Sequence, residues 1–168
     1  MKKIYILSNP VDGCTNFVGN NLFNDLKSQK NTMKNLKKWG KFMIKPKKLC
    51  KGDKVAIVSL SSGTAGDKLF KHRYEQGKKR LEEVFGLTVV TMPNALKGSE
   101  YLSKHPEARA KDFMDAIKDK SIKGIICNIG GADTVRLLPY IDYEAIKNNP
   151  KVFMGYSDTT VNHFMMYK

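Results

Sequence analysis

The stretch Gly155-Tyr156-Ser157-Asp158-Thr159 joins a short apolar run to an amphipathic one. A serine between a strand and a helix is the layout of a nucleophile elbow. There the tight turn strains the central residue and lifts its side chain above the sheet edge. Small residues two positions to either side keep such a turn free of clashes; Gly155 satisfies this, and Thr159 is larger than the usual glycine. The helix start beneath the serine supplies backbone N–H groups suited to a developing oxyanion. The same spacing fits a plainer reading, in which Ser157 or Asp158 caps the helix. Gly130-Gly131 also follows an apolar run and opens a helix. Two glycines let a backbone N–H approach a ligand, as an oxyanion hole or a phosphate cradle requires, and they equally make an ordinary turn. The segment is not GxGxxG, so a dinucleotide fingerprint is absent. Ser59-Leu60-Ser61-Ser62-Gly63 is a third small polar loop that could line a pocket.

A serine needs an adjacent base to act as a nucleophile at neutral pH. The three histidines are His72, His105 and His163. His163 lies on the helix after Ser157 and points away from the loop tip, His105 precedes Pro106 at a helix start, and His72 sits in a charged helix. None is an obvious base. The three cysteines, Cys14, Cys50 and Cys127, show no CxxC spacing, so no zinc site, metal or disulfide framework is expected. Cys127, within GIICNI, reads as a small buried hydrophobe.

Loops of this kind need a scaffold, and the chain alternates strand and helix from residue 54 onward. Short β-branched or apolar runs predict strands at 54–59, 87–92, 124–129 and 151–154. Phe70, Tyr74, Gly77, Leu81 and Phe85 recur at helical spacing and Gly86 closes that helix. Residues 93–103 read as a loop. Pro106 opens a helix with Ala110, Phe113, Met114 and Ile117 on one face. A short helix follows at 133–138, Asp142 caps another that ends before Pro150, and a last one runs over 159–167. The alternation predicts an α/β fold, a parallel sheet with helices on both faces of the Rossmann-like or flavodoxin-like kind. Sites in such sheets form outside the carboxyl ends of the strands, which directs attention to loops 59–67, 130–134 and 155–159.

The chain has 168 residues and a formal net charge of +14. Residues 1–51 hold 12 Lys and 2 Asp; residues 52–168 hold the other 18 Lys/Arg and 14 Asp/Glu. The basicity therefore belongs to the first segment. Arginine is scarce and no aromatic interleaving accompanies the lysines, so they read as a solvated surface and nucleic acid is not the expected partner. Residues 1–42 read as a basic extension: a strand at 3–8, a helix capped by Thr15 or Asn16, and a loosely packed lysine-rich stretch at 28–42. No apolar run is long enough to cross a bilayer and no secretory signal is present, so a cytoplasmic location is expected and no membrane partner.

The segments YLSKHPEARAKDFMDAIKD and IKGIICNIGGADTVRLLPYIDYEAIKNNPKVFMGYSDTT resemble the LD-carboxypeptidase family, and within it the microcin C immunity peptidase branch. The resemblance runs from Met43 to the end, so residues 43–168 read as the nucleophile-bearing N-terminal domain. It implies a Ser-Glu-His triad with Ser157 as the nucleophile and an oxyanion hole from the backbone N–H groups of Gly131 and Asp158. Gly130 and Ser61 are the expected substrate contacts. The implied reaction is hydrolysis of an amide before a terminal residue, in an L,D-murein tetrapeptide or a microcin-like peptidyl nucleotide. The implied enzyme needs no cofactor or metal and is a homodimer in complete relatives. Three features depart from the pattern. The family's Glu and His belong to a C-terminal domain that residues up to Lys168 do not include. Ala132 stands where the branch often has an acidic residue. Residues 1–42 precede the usual family start. The expectation is therefore either a serine carboxypeptidase lineage or, without the rest of the triad, a catalytically inactive fragment that only folds or binds.

Overall fold

The computed structural model describes residues 44–167. The expected strand at 3–8, the helix after Thr15 or Asn16 and the lysine-rich stretch at 28–42 lie outside the described residues. From Lys45 onward the chain is one compact unit.

Four strands form one parallel sheet: β1 (Lys54–Val58), β2 (Thr88–Thr91), β3 (Ile122–Cys127) and β4 (Val152–Met154). The order across the sheet is β2-β1-β3-β4. Between them lie α1 (Lys71–Glu83), α2 (Ser99–Lys104), α3 (Pro106–Lys118) and α4 (Tyr143–Asn148), and α5 (Thr160–Tyr167) follows β4. The β1-to-β2 crossover moves one way across the sheet, and the β2-to-β3 and β3-to-β4 crossovers move the other way. With right-handed connections, α1 lies on one face and α2, α3 and α4 on the other. The alternating α/β reading is therefore the architecture of the described residues.

Both faces of β1 are buried, which is why it reads as continuous apolar sequence. Ala56 and Val58 join the main core with Phe113, Ile117, Ile125 and Leu137. Val55 and Ile57, equally buried, alternate to the opposite face. On that face α1 packs mainly against the edge strand β2 and the turn at Thr64–Gly66. Tyr74 is accordingly its one buried side chain, whereas Phe70 and Phe85 are exposed. The helix breaks before Gly86, whose φ is +65°, a conformation with no steric cost for glycine. On the other face α3 starts at Pro106 and packs Ala110, Phe113, Met114 and Ile117 against β1 and β3. Asp142 caps α4 by accepting from the Ala145 N–H at 2.9 Å.

Several boundaries differ from the sequence reading; the short helix expected at 133–138 is a 3-10 helix at Thr134–Tyr140. The stretch 93–103 is not all loop, because α2 begins at Ser99 with Leu102 fully buried. Asp67 anchors its start, accepting from the Ser99 N–H at 2.8 Å and the Ser99 hydroxyl at 2.6 Å. That anchor comes from 32 residues away, so local pattern does not reveal it. β3 runs from 122 rather than 124 and ends at Cys127, where its pairing with β1 stops at Val58. Among the described residues no helix is long and apolar enough to cross a membrane.

Candidate active site

The strand order reverses direction between β1 and β3, and a crevice opens at such a switch point outside the carboxyl ends of the strands. The loops after β1 and β3 line a groove there, with walls from Ser61, Ser62, Gly63, Ser99, Ser103 and the backbone around Gly131 to Asp133. Ser157 is not one of its walls; it stands beside the groove, on the loop after β4.

Ser157 has φ +59° and is the only non-glycine residue with positive φ among the described residues. L-residues meet steric resistance in that region, so the turn holds Ser157 against its own preference. The residue opens a short 3-10 turn, Ser157–Thr159, that leads into α5. Thr159, the bulky residue at the far side of the turn, is accommodated inward. It is fully buried and its hydroxyl donates to the Tyr156 carbonyl at 2.8 Å.

The glycine pair meets this serine. A Cβ on Gly130 would lie 2.9 Å from the Ser157 Cβ and 3.2 Å from its Oγ. A Cβ on Gly131 would overlap the Ser61 hydroxyl and lie 2.9 Å from the Ser62 nitrogen. Only glycine fits at either place, because the three loops touch there. The Ser62 N–H donates to the Gly130 carbonyl at 3.2 Å, fastening the first loop to the second.

Asp158 fastens all three. Its Oδ2 accepts from the Ser61 hydroxyl at 2.5 Å, the Thr134 N–H at 2.8 Å and the Thr134 hydroxyl at 2.6 Å. Burial pushes the Asp158 carboxyl up, but the hydrogen bonds from Ser61 and Thr134 together outweigh it and hold the group below the usual carboxylate range. Beneath the groove lies Arg109, with no exposed side-chain surface. Its Nη1 donates to the Leu60 and Ser61 carbonyls at 3.1 and 2.9 Å and to Asp133 Oδ1 at 2.8 Å, and Nη2 donates to Asp133 Oδ2 at 3.1 Å. Arg136 reaches Asp133 from outside at 3.3 Å.

The structure thus brings Ser61, Gly130, Gly131, Ser157 and Asp158 to one sheet edge. Local pattern indicated Asp158 as a backbone donor or a helix cap and did not reveal the carboxylate's bonds to Ser61 and Thr134. It also missed Arg109, Asp133 and Thr134. A signal for Arg109 was available: it lies four residues before Phe113, on the apolar face of α3, where a charge needs buried partners.

The histidines stay apart from Ser157. His163 donates from Nε2 to the Gly155 carbonyl at 2.7 Å and stacks edge-on against Phe153. His105 pairs with Glu107 at 2.7 Å, and His72 is exposed on α1. Among the described residues no hydrogen bond to the Ser157 hydroxyl forms, and no group of three His, Cys, Asp or Glu could hold a metal ion. Cys127 lies behind the Ser157 loop with its thiol pushed up to about 12 by burial, an effect the Thr159 hydroxyl partly offsets.

A parallel α/β sheet with a strained serine packed against a glycine pair at its carboxyl edge defines the class of fold and site. The chain belongs to the LD-carboxypeptidase family: residues 55–168 match that family's N-terminal domain. The putative carboxypeptidase YocD of Bacillus subtilis is 38% identical over 113 residues, covering 67% of this chain and 34% of YocD. A probable murein peptide carboxypeptidase of the same organism is 34% identical over 125 residues, covering 74% of this chain and 37% of that protein. The crystal structure of an MccF-like protein from Streptococcus pneumoniae in complex with AMP superposes with a TM-score of 0.64 at 44% identity, covering 69% of this chain and 34% of that one. The chain spans about a third of the length of these relatives.

Proposed function

We propose that residues 43–168 form the nucleophile-bearing domain of a serine carboxypeptidase, with residues 1–42 as a separate basic extension. The observation that carries this reading is the φ of +59° at Ser157, on a loop packed against Gly130. Strain of this kind persists where the surroundings over-determine it, and it clusters at reactive positions. In the proposed step the Ser157 Oγ attacks the amide carbonyl carbon and gives up its proton to a base. The carbonyl oxygen becomes an oxyanion facing the Gly131 and Asp158 N–H groups. Collapse breaks the C–N bond, the protonated amine leaves, and water later hydrolyses the ester. Gly130 and Ser61 contact the substrate at the groove. The substrate is a small peptide or peptidyl nucleotide. The murein peptide relative and the AMP-bound MccF-like structure support those two classes. The proposed enzyme is cytoplasmic and metal-free, and a homodimer is the assembly that the family resemblance implies for complete relatives.

No base within the described residues reaches Ser157, and that favours a second reading, in which this chain binds substrate without turning it over. Hydrolysis of an L,D-murein tetrapeptide and of an aminoacyl nucleotide by the purified 168-residue chain tests both, with Ser157→Ala as control. The expected rate is at least about 10⁴-fold below that of a full-length relative, since loss of a base costs about 10⁶ and oxyanion binding alone retains about 10³–10⁴ over water. Near-normal turnover that vanishes in Ser157→Ala would show that a base had been overlooked. Any turnover equal in both proteins would remove Ser157 from the reaction.

A further inference from the structure

Arg109 is a fully buried cation that is not itself a wall of the groove, yet every group it holds belongs to a groove loop. One guanidinium nitrogen binds two consecutive carbonyls of the loop after β1, Leu60 and Ser61, and one carboxylate oxygen of the loop after β3. The second nitrogen takes the other Asp133 oxygen, completing a two-point grip. From those fixed points the chain of contacts is short. Ser61 donates its hydroxyl to Asp158, the neighbour of Ser157, and abuts Gly131; Ser62 donates to Gly130, which abuts Ser157. Asp133 directly precedes Thr134, the other partner of Asp158. The side-chain and backbone contacts between these loops therefore all involve the two loops that Arg109 grips, above the β3–β4 pairing that sets the strands beneath them.

We propose that Arg109 is the positioning residue of this site: its buried guanidinium holds the loops after β1 and β3 at the separation that aligns the Gly131 N–H with Ser157. The proposal rests on Ser157 being the nucleophile. A planar guanidinium suits this task because it reaches carbonyls on one side and a carboxylate on the other in fixed geometry. A lysine offers one point charge on a flexible stem and cannot span them together. Burial makes the grip stiff, since releasing either loop would strand a charge away from water. Misplacement of a reacting group by about 1 Å costs on the order of 10²-fold in rate, so this residue acts on catalysis without meeting the substrate.

The test compares wild type with Arg109→Lys and the milder Asp133→Asn, each confirmed folded by far-UV circular dichroism and by melting above the assay temperature. Phosphonylation of Ser157 by a fluorophosphonate, followed by intact-protein mass spectrometry, separates the maximal labelling rate from the probe concentration at half-maximum. Arg109→Lys is expected to lower the maximal rate about 100-fold and to change the half-maximal concentration less than about 3-fold, with Asp133→Asn intermediate. Equal maximal rates in wild type and a folded Arg109→Lys would overturn the proposal. Ser157→Ala separates the two claims: if it labels as wild type does, the nucleophile reading fails instead. The amide ¹H–¹⁵N spectrum decides the positioning claim even if wild type does not label. The Gly130, Gly131, Ser157 and Asp158 signals should move in Arg109→Lys while those of β2 stay in place; unmoved loop signals in a folded variant would overturn the proposal. If Arg109→Lys does not fold, Asp133→Asn is read in the same way.

Discussion

Replacing Asp158 with asparagine removes a charge around which three donors are arranged. The Ser61 hydroxyl, the Thr134 N–H and the Thr134 hydroxyl all converge on Oδ2 within 2.8 Å. Hydrogen bonds to a charged group contribute about 1.5–3 kcal/mol each, but bonds that share one oxygen are not additive. Asparagine keeps one acceptor oxygen, and Asp158 is only half-buried, so water screens part of the loss. The expected cost is about 2 kcal/mol, which lowers Tm by roughly 8 °C in a unit of this size. The pH dependence gives a sharper test. The folded-state pKa of Asp158 lies below its unfolded value, because the Ser61 and Thr134 bonds outweigh burial. A depressed carboxylate contributes stability that is whole above the unfolded value of about 3.9 and is lost as pH falls through the lower folded value. Urea unfolding of wild type and Asp158→Asn between pH 7 and the lowest pH at which both still fold should therefore show a constant gap above about pH 5 that narrows below about pH 4. A gap that stays constant into the acid range would refute the charge-based reasoning. So would equal stability of the two proteins at pH 7.

Two further outcomes follow from the site. Ser157→Gly should be more stable than Ser157→Ala by about 1 kcal/mol in urea unfolding, because glycine accepts a φ of +59° without the steric cost that alanine carries. Iodoacetamide at pH 8 should alkylate the exposed Cys50 in the native protein and leave Cys127 unmodified, as peptide mass mapping would show, because Cys127 has its thiol pushed up to about 12.

Much of this protein was legible without coordinates, and the reason lies in how each feature is encoded. Strands β1 and β3 and the helix from Pro106 depend on local periodicity and on proline at a helix start, so their apolar runs announce them. Ser157 and Gly130-Gly131 were visible because a strained turn and a close backbone approach restrict residue type at the position itself. What the chain order could not reveal is which loops meet. The order β2-β1-β3-β4 puts the loops after β1 and β3 on either side of the switch point, and it follows from crossover direction rather than from any one segment. Helix α2 depends on Asp67, the Asp158 carboxylate on Ser61 across 97 residues, and Arg109 on carbonyls nearly 50 residues away. A polar side chain in isolation is compatible with solvent or with a cap. Only packing removes the water and leaves it the partners that define its role.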